Sequence, residues 1–378
     1  MVSLVRGGLV YTGEAVLEDA CVAWNDSGIV GVGRDLKGDV VGEYPVITPG
    51  IVDPHSHIGL IRAGEPGSEA EANDKMDSVL AHADVLDSVQ MDDDAFRRSV
   101  EAGVLYSCVL PGSGNIIGGQ SALVRNYGRD TNSALIGRAG IKAAFGYNPM
   151  GTRDWKGTRP WTRMGALAIL RSKLHDVSAK MAKERAQEDA DVVYTAEETV
   201  LKALLTRQER LRVHVHKSDD VAAVLRFVDE FGLDVTVEHT CDVHDQATFA
   251  ELAKRNIPVV YGPMDSHPYK VELKHEDWRN IRFLLASGVK FGLMTDHPVV
   301  LQETLLLQLR WFLRAGLSKE QALAIITREN AEILGIGDRV GTLAAGKWAS
   351  LVCWSGDPFS LESHPVAVYA EGEQILAE

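Results

Sequence analysis

The chain has 378 residues, 45% of them hydrophobic and 24% charged, which is long enough for a barrel of about 250 residues and a smaller second unit. Its formal net charge of -14 argues against nucleic acid as a partner, because phosphate binding relies on an excess of Lys and Arg. Four widely spaced cysteines without a CxxC pair argue against a disulfide framework and a zinc knuckle.

The same features favour a cytoplasmic location and a small-molecule substrate. No stretch contains the roughly 18 apolar residues of a membrane-spanning helix, so we expect no membrane partner. The first residues lack the basic start and apolar run of a secretory signal, and separate cysteines suit a reducing compartment. The oligomeric state is left open, a homo-oligomer included.

Short apolar runs separated by Gly and Asp occur at both ends of the chain. In residues 1–48 and again in 340–378 they predict small antiparallel strands. Neither end is long enough to form a stable sheet alone. We therefore predict one composite β-sandwich domain, built from 1–48 plus 340–378, and a second domain in 49–339.

Between the two ends, apolar runs alternate with amphipathic helical patterns, which is typical of βα units and a parallel sheet. Eight runs predict strands, at 46–52, 105–110, 122–126, 141–145, 211–216, 235–239, 258–261 and 289–295. A capping box formed by Thr195 and Glu198 marks the start of one intervening helix. Eight parallel strands predict an α/β protein of the (β/α)8 TIM-barrel class.

The strongest chemical signal follows the first of these strands, in the segment 49–57, PGIVDPHSH. Side chains two residues apart on a strand point to the same face, so the imidazoles of His55 and His57 project together. At the carboxyl end of a strand they would bind one divalent metal. The alternative is a pair of polar residues at a strand exit without a ligand, and the preceding apolar strand favours the metal.

Three more histidines end neighbouring strands. His214 and His216 alternate on the fifth strand, and His239 ends the sixth strand one βα unit later. Only one of His214 and His216 needs to bind metal, while the other would support a ligand or contact substrate. A single strand-end histidine is more often structural, but histidines at successive strand ends of one barrel favour a metal centre.

Asp296 follows the eighth strand in the segment 292–298, GLMTDHP. A carboxylate at this position is costly unless it is paired, ligating or solvated, and capping a helix is the alternative. As a metal ligand it would accept a proton from the attacking water, whose pKa zinc lowers to about 7. His239 would polarise a substrate carbonyl or assist the proton transfer, so Asp296 and His239 are the candidate catalytic residues.

This order of motifs resembles the amidohydrolase superfamily, whose members carry an HxH pair, histidines on strands five and six and an aspartate on strand eight. The tail agrees, with Asn330-Ala331 and Leu334-Gly335 followed by the segment 340–352, VGTLAAGKWASLV. Imidazolonepropionase-related members look most similar, because of the segments 110–120, LPGSGNIIGGQ, and 162–165, TRMG. The resemblance implies a divalent metal cofactor, most simply zinc as one or two ions, with iron, manganese and cobalt as alternatives.

Carried over residue by residue, the resemblance implies His55, His57 and Asp296 as metal ligands. The strand-five histidine of the family matches His214 best, with His216 as the alternative.

His239 matches a residue that is a ligand in two-metal members and a catalytic or substrate contact in many one-metal members. Two-metal members also need a carboxylated Lys or a Glu on strand four. Lys142 is the candidate, although it lies early in the predicted strand 141–145, and an interior lysine paired with a carboxylate is the alternative. Ser350 departs from the family, which usually has Asp there, in the part of the chain away from the chemistry.

Further residues near the strand ends are candidate substrate contacts: His216, Gln120, Tyr261 and His297. The glycine-rich segment 111–119 would line the pocket with backbone amides or form a plain turn, and it lacks the GK[ST] ending of a phosphate loop. The stretch 61–94 has ten Asp or Glu against two Arg or Lys. It would overhang the barrel mouth, where it would favour cationic substrates or form a solvated lid.

The sequence therefore favours a metal-dependent hydrolase that cleaves the C–N bond of a cyclic amide, an N-acyl compound or a peptide-like amide with a metal-activated water. One alternative is a one-metal deaminase of a ring amine. Such deaminases usually have a Glu three residues after the strand-five histidine, where this chain has Lys217 or, counted from His216, Asp219. A non-catalytic barrel scaffold is the other alternative, and the full set of candidate ligands argues against it. No motif identifies the substrate.

Overall fold

The computed structural model describes residues 1–186 and 192–377. These residues form fifteen strands: β1 (Ser3–Tyr11), β2 (Val16–Asn25), β3 (Gly28–Gly33), β4 (Asp39–Pro49), β5 (Ile51–Ser56), β6 (Val104–Val109), β7 (Ile117–Arg125), β8 (Leu135–Ala144), β9 (Leu211–Val215), β10 (Val235–His239), β11 (Val259–Tyr261), β12 (Phe291–Leu293), β13 (Leu351–Trp354), β14 (Pro365–Ala370) and β15 (Glu373–Ala377).

They also form twelve α-helices: α1 (Asp94–Glu101), α2 (Thr131–Ala134), α3 (Tyr147–Met150), α4 (Arg163–Ala186), α5 (Ala196–Leu205), α6 (Ser218–Phe231), α7 (Gln246–Lys254), α8 (Ile281–Ser287), α9 (Leu305–Gln308), α10 (Arg310–Arg314), α11 (Lys319–Ala324) and α12 (Asn330–Ile333). Short 3-10 turns lie at Gly67–Glu69, Val85–Asp87, Val271–Leu273, Trp278–Asn280 and Gln302–Thr304, and a π turn joins α11 to α12 at Ile325–Glu329.

The strands of the two chain ends share one sheet. Its order is β15-β14-β13-β4-β1-β2-β3, and β13 joins the ends by pairing antiparallel with β4, with Leu351 opposite Pro49. An apolar cluster packs side chains from both ends together, among them Val5, Val22 and Leu351. The sandwich arrangement of this sheet and the domain boundaries at 48 and 340 stay predictions.

The other sheet has eight strands in chain order, from β5 to β12. Its first and last strands meet through a parallel bridge between Ser56 and His297, and Asp296 N donates to His55 O at 3.0 Å. The sheet therefore nearly closes on itself, with helices between most strands, as a TIM-barrel-like α/β fold. Each of the eight predicted runs overlaps one of these strands.

Two details of the predicted barrel are wrong. Strand β7 runs antiparallel to both neighbours. Only residues 110–116 separate it from β6, whereas a parallel return needs a crossover of roughly a dozen residues or more. The first strand begins at Ile51 rather than at residue 46, since residues 46–49 belong to β4 of the other sheet. This shift places His55 inside β5 and His57 directly after it.

The seam between β5 and β12 is held by the side chain of Asn330. Its Nδ2 donates to Val52 O at 2.7 Å and to Leu293 O at 2.9 Å, and its Oδ1 accepts from Leu293 N at 3.0 Å. Gly292 makes room for this amide, because a Cβ there would lie 1.9 Å from Asn330 Oδ1. One buried side chain thus joins the first barrel strand to the last.

The predicted capping box is confirmed at the start of α5, where Thr195 accepts from Glu198 N and the Glu198 side chain bonds back to Thr195 N. Within the parts of the chain that the structure describes, no helix combines the length and the apolar character needed to cross a membrane.

Candidate metal centre

Seven polar side chains meet where the barrel strands end: His55, His57, Lys142, His214, His216, His239 and Asp296. Because the carboxyl ends of parallel strands lie at the same edge of a barrel, residues from distant sequence positions converge there. All seven residues are buried. Interactions among their charges are therefore stronger than they would be in water.

The first group consists of His55, His57 and Asp296, whose candidate ligand atoms lie within 4.8 Å of one another. Asp296 Oδ1 lies 3.1 Å from His57 Nε2 and 3.4 Å from His55 Nε2. The other ring nitrogen of His57 donates to Leu110 O at 2.8 Å, which leaves Nε2 facing Asp296. Two imidazole nitrogens and a carboxylate oxygen form a donor set that suits a divalent metal.

Lys142 reaches the first group from β8. Its Nζ lies 3.0 Å from His55 Nε2, and burial lowers the pKa of this amine to about 8. The expectation that Lys142 lies early in its strand is wrong, because β8 begins at Leu135 and Lys142 is close to its carboxyl end. The lysine is therefore placed where a ligand of such a barrel would lie.

The second group consists of His214, His216 and His239, again with candidate ligand atoms within 4.8 Å of one another. The ring centroid of His239 lies 4.1 Å from that of His214 and 4.9 Å from that of His55, so the two groups are neighbours. Burial lowers the pKa of His216 to about 4 and the pKa values of His214 and His239 well below the ordinary value. These rings are therefore neutral, which is the form that binds metal.

Three ring nitrogens of the second group have no hydrogen-bond partner among the described residues: His214 Nδ1, His216 Nδ1 and His239 Nε2. A buried polar atom without a partner costs about 1–3 kcal/mol. Three such atoms on adjacent rings indicate that a ligand belongs there. Imidazole donors next to a carboxylate suit zinc and the neighbouring transition metals, so the residues present fit a divalent metal.

Two of the candidate ligands have strained backbones. His239 has a φ of 76° and Asp296 a φ of 52°, in the left-handed region where a non-glycine residue costs on the order of 1–3 kcal/mol. Thr240, with a φ of 57°, is held by a hydrogen bond from its N to Val215 O at 2.8 Å. Strain of this kind collects at functional sites, where the surrounding structure fixes a side chain in one direction.

A buried ion pair inside the barrel supports His55. Its Nδ1 lies 2.7 Å from Glu238 Oε2, and Glu238 Oε1 lies 3.1 Å from Arg212 Nη2. Burial raises the pKa of Glu238, but the Arg212 guanidinium and the hydrogen bond from His55 outweigh this effect and bring the pKa to about 2. Neither Glu238 nor Arg212 was predicted from the sequence. A signal was present, because Arg212 lies two residues before His214 on β9 and therefore faces the same side.

Glu272, which was also not predicted, covers the second group. It lies in a 3-10 turn of the loop after β11 and is 0% exposed. Its Oε1 lies 3.4 Å from His214 Nε2 and 3.9 Å from His216 Nε2, and Asn148 Nδ2 lies 3.1 Å from His214 Nε2. No local sequence pattern marks either residue, because both come from irregular or short segments between barrel elements.

The structure does not bring Gln120 to the histidines. Gln120 pairs with Ile141 on β8, and its neighbour Gly119 pairs with Lys142. Adjacent residues of a strand face opposite sides, so Gln120 and Lys142 lie on opposite sides of the sheet. The side-chain amide of Gln120 donates to His82 O at 3.3 Å instead.

Tyr261 and His297 adjoin the two groups through the backbone, since Tyr261 pairs with His239 and His297 O accepts from His57 N at 2.9 Å, but neither is a member of them. Tyr261 lines a separate cavity of about 200 Å³ together with Cys241 and Glu276. His297 Nδ1 accepts from Gln302 N at 3.2 Å, and the His297 backbone forms the barrel seam. Of the four candidate substrate contacts, only His216 lies within the histidine groups.

Comparison with known proteins gives an independent view of the chain. The model of the amidohydrolase family matches residues 169–375. Among curated proteins, the Amidohydrolase tasK of Hapsidospora irregularis is 28% identical over 98% of this chain and 43% of its own length. The chain therefore spans less than half the length of that relative.

Solved structures show the same architecture along the chain. An amidohydrolase from Thermotoga maritima MSB8 is 30% identical, with 100% of both chains covered and a TM-score of 0.93. A prolidase complexed with N-methylphosphonate-L-proline is 16% identical, with 100% of both chains covered and a TM-score of 0.66. An adenosine deaminase from Xanthomonas campestris with bound zinc is 18% identical over 99% of this chain and 93% of its own, with a TM-score of 0.57. The last two likenesses concern the fold alone.

Proposed function

Because the chain belongs to the amidohydrolase family, we propose that it is a metal-dependent hydrolase of carbon–nitrogen bonds in a small molecule. The substrate class we propose is a cyclic amide, an N-acyl compound or a peptide-like amide. One observation carries this proposal: two buried histidine groups adjoin one another, one completed by Asp296 and the other bearing ring nitrogens without partners.

Two positions for a divalent metal follow from the two groups. His55, His57 and Asp296 would hold one ion, and His239 with His214 or His216 would hold the other. When bound, the metal polarises a carbonyl group and activates water at neutral pH. Zinc is the simplest choice for these donors, and iron, manganese and cobalt are the alternatives.

Lys142 would connect the two positions as a carboxylated lysine. Carboxylation needs a neutral amine, and the pKa of about 8 that burial gives Lys142 provides a neutral fraction near pH 7. The Nζ atom already lies 3.0 Å from His55 Nε2. An unmodified Lys142 in a one-metal centre is the alternative.

Asp296 would carry the proton chemistry, and His239 would share it where its Nε2 does not bind an ion. The Asp296 side chain is 13% exposed, whereas those of Glu238 and Glu272 are 0% exposed, so Asp296 is the carboxylate that solvent reaches and would accept a proton from the attacking water. His239 Nδ1 donates to Gly262 O at 2.9 Å, so a neutral ring presents Nε2 as a lone pair. This geometry favours His239 as a ligand or base over a role in which it polarises a carbonyl.

Glu272 makes a ring-amine deaminase the second candidate function. The position three residues after His216 is Asp219, which is exposed on α6 and does not supply the acid of such enzymes. Glu272 instead places a buried carboxylate 3.4 Å from His214 Nε2, where it would hold the proton that a leaving ammonia requires. If the protein releases ammonia from ring amines and leaves amides unchanged, the result favours the deaminase.

Metal analysis combined with a substrate screen tests the proposal. We expect about two equivalents of zinc in the wild-type protein and about one or none after Lys142→Ala. A screen of N-acyl amino acids, dipeptides, cyclic ureides and ring amines should yield a substrate. His55→Ala should then lower turnover by about 10³-fold or more, since loss of metal activation removes several kcal/mol of transition-state stabilisation.

His175→Ala provides the matched control, because the His175 side chain is 61% exposed and pairs with Glu230 on the surface. It should leave metal content and turnover unchanged. A wild-type protein that retains no zinc, or a substrate turned over equally well by His55→Ala, would contradict the proposal. The similarity to imidazolonepropionase-related members, the cytoplasmic location and the oligomeric state stay predictions.

A further inference from the structure

A third group of candidate ligands lies outside the centre described above. It consists of Asp242, His244 and His275, whose candidate ligand atoms lie within 4.8 Å of one another. Asp242 and His244 belong to the loop between β10 and α7, while His275 comes from the loop between β11 and α8 that also carries Glu272. Two loops of the barrel mouth therefore meet at this group.

The contacts within the group leave donor atoms free for an ion. Asp242 is 1% exposed, and its Oδ1 accepts from His275 N at 2.5 Å while its Oδ2 lies 3.3 Å from His275 Nδ1. His244 Nδ1 donates to Asp242 O at 2.8 Å, so its Nε2 is left as the ligating nitrogen. The two imidazole rings lie 4.6 Å apart between centroids, at an angle of 43°.

A neighbouring carboxylate supplies a second observation that points to a cation. Glu276 Oε2 is buried and has no hydrogen-bond partner among the described residues. A bound cation would give this buried carboxylate oxygen a partner.

We propose that Asp242, His244 and His275 form a peripheral binding site for a divalent transition metal, most simply zinc. One carboxylate and two imidazoles are a donor set that zinc accepts, with a fourth position left for water or a further carboxylate. Harder ions such as Mg²⁺ and Ca²⁺ prefer sites built from oxygen alone, so the two imidazoles favour zinc over them.

The ion would fasten the loop that carries Glu272 to the end of β10. Asp242 N donates to His216 O at 3.2 Å, so the peripheral site lies directly behind the second histidine group. His275 is three residues from Glu272, and fixing it to Asp242 limits how far Glu272 can move from His214. The role of the site is therefore to position a loop, and the ion would take no part in the bond-breaking step.

Zinc titration of the metal-loaded protein tests this inference. Equilibrium dialysis against rising zinc should show about one further equivalent above the centre, bound more weakly because two of its three ligands are solvent-exposed. His244→Ala and His275→Ala should each abolish that equivalent, and His175→Ala should retain it. The inference is overturned if the wild-type protein binds no further zinc, or if both ligand variants bind as much as the wild type.

A second measurement separates this inference from the proposed function. His55→Ala damages the centre but leaves the peripheral ligands intact, so it should still bind the further equivalent. Hydrogen exchange of residues 262–277 should slow when zinc is added to the wild-type protein and not when it is added to His275→Ala. Equal slowing in both proteins would rule out the fastening of the loop.

Discussion

The two histidine groups of the centre differ in how the protein holds them. In the first group, both nitrogens of His55 and of His57 have partners within the protein, supplied by Glu238, Lys142, Leu110 and Asp296. In the second group, each of the three histidines has one ring nitrogen without a partner among the described residues. The first group is organised by the fold, and the second needs a ligand to satisfy its donors.

This difference shows which part of the centre depends on the barrel and which depends on the ion. A preorganised group costs nothing to assemble when metal binds, because its side chains already point in one direction. Desolvated imidazoles without partners carry a free-energy cost that metal binding removes. Two substitutions and one metal addition test this difference between the groups. They follow in decreasing order of the effect that we expect.

Glu238→Gln should have the largest effect, because it removes the anion that compensates Arg212. Both side chains are at most 1% exposed, and an uncompensated buried charge costs about 3–5 kcal/mol of unfolding free energy. The shift in the urea unfolding midpoint of the metal-free protein measures this cost. Glu230→Gln is the control, since Glu230 pairs with Arg171 at the surface and such pairs contribute about 0–1 kcal/mol. Equal shifts in both variants would show that the ion pair does not organise the first group.

Adding metal to the metal-free protein should protect the second group more than the first. At a metal concentration of about 100 times the dissociation constant, the native state gains about 2.7 kcal/mol. We expect hydrogen exchange to slow mainly in residues 211–216 and 235–240, where unpartnered nitrogens gain a ligand, and less in residues 51–57. Equal protection of the two regions would contradict the comparison.

Glu272→Gln should have the smallest effect of the three. Removing the charge that faces His214 Nε2 should weaken metal binding by the second group about tenfold, as substitutions next to metal ligands commonly do. Competition with a chromophoric chelator measures the affinity. Glu251→Gln, which alters a surface pair with Arg255, should leave the affinity unchanged. An unchanged affinity in Glu272→Gln would mean that Glu272 covers the group without influencing the ion.

The sequence was sufficient to predict the barrel strands and most of the centre, because both depend on short-range patterns. His55 and His57 alternate within one strand, and each remaining histidine ends an apolar run. The antiparallel direction of β7 was not predicted, since the apolar pattern of a strand is the same in both directions. Loop length was the missing signal, because residues 110–116 are too few for a crossover.

Glu238 and Glu272, which contact the histidines, were not predicted for a different reason. Glu238 and His55 are in hydrogen-bond contact although 183 positions separate them, and Glu272 lies 58 positions from His214. Contacts of this range depend on how the barrel closes, which no local pattern records. Arg212 carried a local signal that was not used, because it alternates with His214 and His216 on β9 and therefore faces the barrel interior with them.

The amide of Asn330 sets an order of events during synthesis. It contacts Val52 across 278 positions, so this side-chain link between the first barrel strand and the last cannot form until residue 330 has left the ribosome. Until then the seam lacks the hydrogen bonds that the Asn330 side chain makes to Val52 and Leu293. A ribosome stalled before residue 330 should therefore hold a nascent chain that is readily cut by protease within β5, whereas release of a longer chain should protect the same bonds.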